Sequence, residues 1–515
     1  MLNWMGTQKT ADATTLLKNV HEVIAALPAD DAVAAVTQIA AALEAINCST
    51  TLTLEERYDD ICLLDAAVVA RTRLLLREYL HTSRQTRSRE AALWHGAYNC
   101  WSELATAYVI CVQRYADDAA NATVFKKLAR VAVARAMRAL RRQLQWLRIR
   151  YAAPVPAIWS GLVHLYGYIE AENIDQEMLI YPGETSTIKR EFLKVLIQSS
   201  LSCENLQPPG QDLTTFIVNR YAPHFVLSRT PDAGCTHWFD LKRPQPIARI
   251  GRAPAPDADL RYFGAGAAVE LLAEALHCIE QAQEVPDDLA FTTGIELPFL
   301  TPVLMQMYRD WSGVPAARQH AREKSNARIT VVPGFKEIID VLESAADDPF
   351  DFTEKSNAES WVANDISSSG FGAVIPAVNG DWVSVGGIAG IESEVAGEWS
   401  VGMVRRVSRL DDGQQEIGVQ LIARKAMAVR MMREDTSRTM RVTQRMPLDH
   451  AILLTADTVQ QQKGVEVLVR NAAAYSTGNV HMLAGESVLL LQFNEVMEKN
   501  AACARISFNV LGVES

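Results

Sequence analysis

Two groups of polar residues in the last two fifths of the sequence have the types and spacing to bind an anionic ligand. Arg318 and Arg322 are four residues apart, and a planar guanidinium suits both phosphate and stacking on a base. The stretch DISSSG follows. Its Asp365 and Ser367 point to one side of a strand because side chains alternate. Gly370 permits a close approach or an unusual turn.

Short strands must position these groups. From residue 326 onward, segments rich in Val and Ile are separated by Gly, Asp and Asn, which is typical of a meandering barrel or sandwich. A helical insertion, KEIIDVLESAADD (336–348), follows the first strand. The first set of strands is ARITVVPGF, SWVANDIS, GFGAVIP, WVSVGGIAGI, EWSVGMVRRVSRL, QEIGVQLIA and AMAVRMM, and the second is AILLTA, VEVLVR, NVHMLAG, SVLLLQFNEV and ARISFNVL.

The order RxxxR, then D-x-S-x-x-G, then the strand QEIGVQL resembles the PilZ family of cyclic di-GMP receptors over about residues 318–432. The resemblance implies a six-stranded β-barrel and makes Arg318, Arg322, Asp365, Ser367 and Gly370 the ligand contacts. Cyclic di-GMP is a dianion with two guanine bases. Guanine presents O6 and N7 as adjacent acceptors, which an arginine fork binds bidentately.

The sequence departs from the family pattern in three ways. Arg322 and Asp365 are 43 positions apart, a longer stretch than is usual, which agrees with the helical insertion. Ala317 stands where many members have a further Arg, so the number of ligand molecules per site, one or two, remains open. Arg328 also precedes the strand, so the two arginines that bind the ligand could be a different pair that includes Arg328.

Three further arginines lie on a later strand. Alternation puts Arg405 and Arg409 on one face and Arg406 on the other. One of these faces could extend the ligand site, but we expect ordinary residues on the barrel exterior.

The first three fifths of the chain predict helices. Asp30 or Asp31 can cap the second helix, and Thr53 with Glu56 forms a capping box that opens the third. Residues 205–262, rich in Pro, predict irregular structure or short strands. Helices are expected over 11–27, 31–46, 53–80, 88–115, 123–151, 154–168, 265–283 and 298–311. The expected domains are a helical domain (1–204), a mixed or helical continuation and linker (205–315), a PilZ-like barrel (316–432) and a degenerate PilZ-like β unit (433–515).

The helix expected over 123–151 carries nine Lys and Arg and no acidic residue. It could be a dock for an acidic partner, a nucleotide or anionic lipid. The preferred interpretation is a solvated face whose charges pair with acidic neighbours such as Glu55, Glu56, Asp59 and Asp60.

Several classes of protein are disfavoured. A net charge of −11 argues against a non-specific DNA or RNA coat. The eight Cys are widely spaced, and the pairs near Cys235 and His277 lack zinc-finger spacing, so we expect reduced thiols and no metal site. P-loop, His-Glu-x-x-His and Gly-x-Ser-x-Gly patterns are missing, so we expect no catalytic residues and no cofactor. No signal peptide or transmembrane segment is recognisable, which favours the cytoplasm.

The expected fold is a multidomain α plus β protein in which an all-α region precedes the barrel. The leading hypothesis for its function is a cytoplasmic cyclic di-GMP receptor without enzymatic activity. Ligand would change the interdomain arrangement, and an unidentified protein partner of the helical region would carry the output to motility, pili or biofilm. A homo-oligomer remains an option. The alternative is a nucleotide-blind scaffold with a degenerate barrel, and an enzyme in the helical region is disfavoured.

Overall fold

The computed structural model groups into two compact units, one formed by Met1–Cys203 with Pro208–Ala316 and the other by Glu204–Gln207 with Ala317–Ser515. The structure describes residues 20–81, 87–117, 125–181, 184–232, 234–286, 289, 296–313, 321–347, 358–376, 383–392, 398–410, 412–433, 449–454, 464–476, 478–485, 487–500 and 503–514.

The first unit is built mainly from helices whose starts follow local capping rules. Asp31 Oδ1 accepts hydrogen bonds from the Val33 and Ala34 amides at 3.0 Å, which confirms it as an N-cap. Thr53 and Glu56 form the predicted capping box, with reciprocal bonds of 3.0 and 3.2 Å. The helices of this unit are α1 (Val20–Ala25), α2 (Ala32–Cys48), α3 (Leu54–His81), α4 (Arg87–Asp117), α5 (Phe125–Ile149), α6 (Pro156–Glu172), α7 (Ile188–Ser200), α8 (Pro208–Tyr221), α9 (Ala268–Ala282) and α10 (Leu297–Trp311).

The basic helix α5 is the central helix of this unit and not a solvated face. It packs against α3, α4, α6, α7 and α8. Arg138 pairs with the buried carboxylate of Asp65 at 2.6 Å, and Arg130 pairs with Glu177. Arg141 is buried and donates to Asn219 at 2.9 Å. The prediction that Glu55, Glu56, Asp59 and Asp60 pair with this helix was therefore wrong. The observed acidic partners, Asp65 and Glu177, are residues that face the helix in the packed unit.

The segment 205–262 contains more regular structure than its prolines indicated. Pro208 and Pro209 open α8, since proline is tolerated in the first turn, where its missing N–H would have no helical partner anyway. A four-stranded sheet follows in the order β3-β6-β4-β5, and a two-stranded sheet, β1-β2, precedes it in the chain. The strands are β1 (Met178–Tyr181), β2 (Glu184–Thr187), β3 (Val226–Ser228), β4 (His237–Asp240), β5 (Ala248–Arg249) and β6 (Leu260–Gly264).

The second unit begins with a closed antiparallel barrel of six strands. Around the ring their order is β8-β9-β10-β13-β12-β11, because β9 pairs with both β8 and β10. A short strand, β7, adds to β9 beyond the end of β8. The predicted helical insertion forms α11 (Phe335–Asp347). The strands are β7 (Glu323–Lys324), β8 (Arg328–Pro333), β9 (Glu359–Ser367), β10 (Gly370–Ile375), β11 (Ile388–Glu392), β12 (Trp399–Arg409) and β13 (Gln415–Ala423).

A second closed barrel of six strands follows, with the ring order β14-β15-β16-β19-β18-β17. In both barrels the first three strands are neighbours in chain order, and the last three return in reverse order. The segment AMAVRMM, grouped with the first strand set in the sequence, forms β14 and pairs with β15 and β17. The strands are β14 (Met427–Arg433), β15 (Asp449–Leu453), β16 (Gly464–Val469), β17 (Asn479–Ala484), β18 (Ser487–Lys499) and β19 (Ala504–Glu514).

The two barrels share an apolar core. In β16, Val467 points into the second barrel and Leu468 points outward, yet both are fully buried. Leu468 is buried because it packs in one cluster with Trp399 of the first barrel and Ile338 of α11. The barrels are therefore joined by side chains that would face solvent in an isolated barrel.

The predicted fold class is confirmed, with a helical region followed by closed six-stranded antiparallel barrels. Among the described residues, no helix combines the length and apolar character needed to span a bilayer. All eight Cys are free thiols, and five of them are buried.

Candidate functional site

The candidate site lies at the β9–β10 hairpin of the first barrel. Strand β7 pairs with the end of β9, with Lys324 opposite Asp365. This pairing places Arg322, just before β7, over the carboxylate. Arg322 Nη1 lies 2.8 Å from Asp365 Oδ1. Two residues 43 positions apart in the chain thus meet, and both are candidates from the sequence.

The Asp365 carboxylate is fixed from two sides. Besides Arg322, the backbone amide of Gly372 donates to Asp365 Oδ1 at 3.0 Å. A Cβ on residue 372 would lie 2.9 Å from the same oxygen, so a glycine there makes room for the carboxylate. The exposed fractions of the Arg322 and Asp365 side chains are 43% and 34%, so the ion pair is accessible to a ligand.

Ser367 and Gly370 shape the hairpin itself. The Ser367 hydroxyl donates to the Gly370 carbonyl at 3.0 Å. A Cβ on Gly370 would lie 2.0 Å from the Val419 carbonyl oxygen, because β10 runs close to β13 here. Gly370 is therefore required by the approach of two strands of the barrel. Ser367 and Asp365 are both half-buried and the intervening Ile366 is exposed, as alternation along a strand predicts.

Two cationic residues at this site were missed by sequence reasoning. Arg424 Nη2 donates to the Ser368 carbonyl at the hairpin tip at 2.9 Å. Lys324 is exposed and lies across from Asp365. The contact of Arg424 spans 56 positions and depends on the barrel register, so no local spacing signals it. Lys324 had only its closeness in sequence to Arg322 as a signal.

Arg318, the other arginine of the RxxxR pair, lies outside the described residues. The predicted alternation of the later arginines was wrong, because a register shift between Val404 and Arg406 breaks it. Arg405 and Arg406 are both half-buried. Arg405 pairs with Glu498 of the second barrel and donates to Gln420, and Arg406 pairs with Glu416 at 2.6 Å.

The sequence pairs Cys235–His237 and His277–Cys278 do not assemble into a metal site. In the part of the chain that the structure describes, no three His, Cys, Asp or Glu side chains are grouped so as to hold a metal ion. His237 is buried, stacks on Phe263 at 5.1 Å and shares a 2.9 Å hydrogen bond with Thr236. Burial lowers the pKa of His237 to about 4, so the neutral ring serves as a packing group.

The fold and the hairpin define a helical protein with paired six-stranded barrels and an arginine–carboxylate site on the first of them. Residues 18–232 match the family described as cyclic-di-GMP receptor FimW, N-terminal domain. The match lies in the helical region, whereas the RxxxR and D-x-S-x-x-G motifs lie beyond residue 316. This match and the barrels confirm the resemblance to cyclic di-GMP receptors. No curated protein and no solved structure matches the chain.

Proposed function

We propose that the chain is a cyclic di-GMP receptor without enzymatic activity, whose ligand binds the first barrel through Arg318, Arg322, Asp365, Ser367 and Gly370. The observation that carries the proposal is the Arg322–Asp365 pair at the hairpin of a closed six-stranded barrel. The similarity of residues 18–232 to a cyclic-di-GMP receptor domain supports it independently, since that segment contains none of these residues.

The exposed ion pair suits reversible capture of a dianion. A solvent-exposed pair contributes about 0.2–1 kcal/mol, so an incoming guanine or phosphate displaces it at small cost. The released guanidinium binds guanine O6 and N7 bidentately or binds a phosphate oxygen. The Asp365 carboxylate accepts hydrogen bonds from guanine N1 and N2, while the Gly372 amide keeps it in place.

The proposed output is a change in the arrangement of the helical and β parts. Arg318 and Arg322 lie in the sequence where one unit ends and the other begins. A ligand that engages this segment and the barrel together favours one of two arrangements, in proportion to its differential affinity for them. The helical region then contacts a protein partner in the cytoplasm, with motility, pili or biofilm as the output.

Titration calorimetry with cyclic di-GMP tests the proposal. We expect wild type to bind with a dissociation constant in the micromolar range or below, and Arg322→Ala to bind at least about tenfold more weakly. Arg505→Ala is the matched control. Arg505 also pairs with a strand carboxylate, Glu466, but in the second barrel, and we expect unchanged affinity. Absence of binding by wild type at tens of micromolar would refute the receptor function.

The second candidate function is a scaffold that binds no nucleotide. The observation in its favour is that Asp365 already provides a partner for Arg322 without ligand. A scaffold should capture the same protein partners with or without cyclic di-GMP, whereas a receptor should capture them in a ligand-dependent way.

A further inference from the structure

The connection between the two barrels reaches the candidate site through one side chain. Strand β13 ends at Ala423 and β14 begins at Met427. Arg424 lies in between, and its Nη2 donates to the Ser368 carbonyl at the hairpin tip at 2.9 Å. The backbone adds a second tie, since the Leu421 amide donates to the Ser369 carbonyl at 2.9 Å. The hairpin tip is thus held by residues at the end of β13.

The backbone of this connection is fixed in place. The Ser400 hydroxyl donates to the Arg424 carbonyl at 2.8 Å, and the Ala426 amide donates to the Trp399 carbonyl at 3.1 Å. The neighbouring Lys425 forms an ion pair with Glu398 at 3.0 Å. The Arg424 guanidinium therefore extends from a rigid base toward the hairpin.

Arg424 differs from Arg322 and Lys425 in the kind of group that its side chain contacts. Arg322 meets a carboxylate at Asp365, and Lys425 meets one at Glu398. Within the described ranges, the partner of the Arg424 guanidinium is a neutral carbonyl, and the residue is exposed. A guanidinium has five donors, so most of those on Arg424 remain for an anion. Ser368 lies three positions after Asp365, so Arg322 and Arg424 hold the two ends of one short segment.

We propose that Arg424 is a phosphate-binding residue of this site. The inference rests on the proposed function, because it assigns a further contact to the same cyclic dinucleotide. On binding, the guanidinium turns from the Ser368 carbonyl to a ligand phosphate, and a charge-assisted hydrogen bond replaces a bond to a neutral acceptor. The residue also connects the ligand to the start of the second barrel, three positions further along the chain.

The test is calorimetry of the full chain with cyclic di-GMP at about 0.05 M and about 0.5 M salt. Arg424→Gln keeps an amide donor for Ser368 but removes the charge, and we expect affinity about 10- to 100-fold weaker at low salt. We also expect a shallower salt dependence than in wild type, since one ligand–protein charge contact is lost. Arg424→Lys should retain most of the affinity. Lys425→Gln, an adjacent charge removal, should bind as wild type does.

The outcomes separate this inference from the proposed function. If Arg424→Gln binds like wild type with the same salt dependence while Arg322→Ala is weakened, Arg424 has no ligand role and the receptor function stands. If Arg424→Lys loses as much affinity as Arg424→Gln and both melt at a lower temperature, the residue only supports the hairpin and the inference is wrong. If wild type does not bind, both are wrong.

Discussion

The two barrels of the second unit have one strand order and different surfaces. In each, the ring runs through the first three strands and returns through the last three in reverse. In the first barrel, β9 and β10 are joined by Ser368 and Ser369, and an arginine–carboxylate pair lies beside that turn. In the second, the connection from β15 to β16 (454–463) is longer and carries no D-x-S-x-x-G.

The candidate site belongs to one hairpin and not to the barrel fold. Strand order and an apolar interior are common to both barrels, so they cannot distinguish a binding barrel from a structural one. The distinguishing features are a glycine that lets two strands approach, a carboxylate held by a backbone amide, and arginines from two other segments. Both barrels contribute to the shared core.

Cavity formation in the shared core is the largest expected effect. Leu468→Ala removes a buried side chain from the cluster between the barrels, and we expect it to cost about 2–4 kcal/mol in unfolding free energy. Hydrogen exchange should rise in both barrels. Val467→Ala is the matched control from the same strand, because Val467 lies inside the second barrel, and exchange should rise there alone. Unchanged exchange in the first barrel of Leu468→Ala would show that the barrels are energetically separate.

A methyl group at the hairpin glycine should also be costly. Gly370→Ala places a Cβ within 2.0 Å of the Val419 carbonyl oxygen, so β10 and β13 must separate, at a cost of about 1–3 kcal/mol. We expect a lower melting temperature by calorimetry and weaker ligand binding. At Gly512 of the second barrel a Cβ would meet nothing within 4 Å, and Gly512→Ala should change stability by less than about 0.5 kcal/mol. Equal melting temperatures for the two variants would contradict the close approach.

The ion pair between the barrels should have the smallest effect. Arg405 and Glu498 pair across the two barrels with side-chain exposures of 35% and 30%. Glu498→Gln should therefore cost less than about 1 kcal/mol, and the cost should decrease as salt screens the pair. Urea unfolding at low and high salt measures it. A loss above about 2 kcal/mol would mean that this charge pair, and not the apolar core, holds the barrels together.

The sequence predicts features that depend on residues close together in the chain. It does not predict features that depend on contacts between distant segments. The Asp31 cap and the Thr53–Glu56 box lie within one helical turn, so local pattern was sufficient. Arg322 and Asp365 were found because the family resemblance names both motifs. The sequence does not predict helix α8, because prolines such as Pro208 indicate irregular structure there, although proline also fits the first turn of a helix. Arg424 was missed because its contact depends on how β13 ends beside the hairpin.

Hydrogen exchange of the full chain, measured with and without saturating cyclic di-GMP, tests whether the ligand binds at the β9–β10 hairpin. We expect slower exchange at residues 321–324 and 365–372 of the first barrel when the ligand is bound. Residues 449–454 and 464–469, the corresponding pair of strands in the second barrel, should keep their rates. Slower exchange confined to the second barrel, or no change anywhere although calorimetry shows binding, would contradict the assignment of the site to the β9–β10 hairpin.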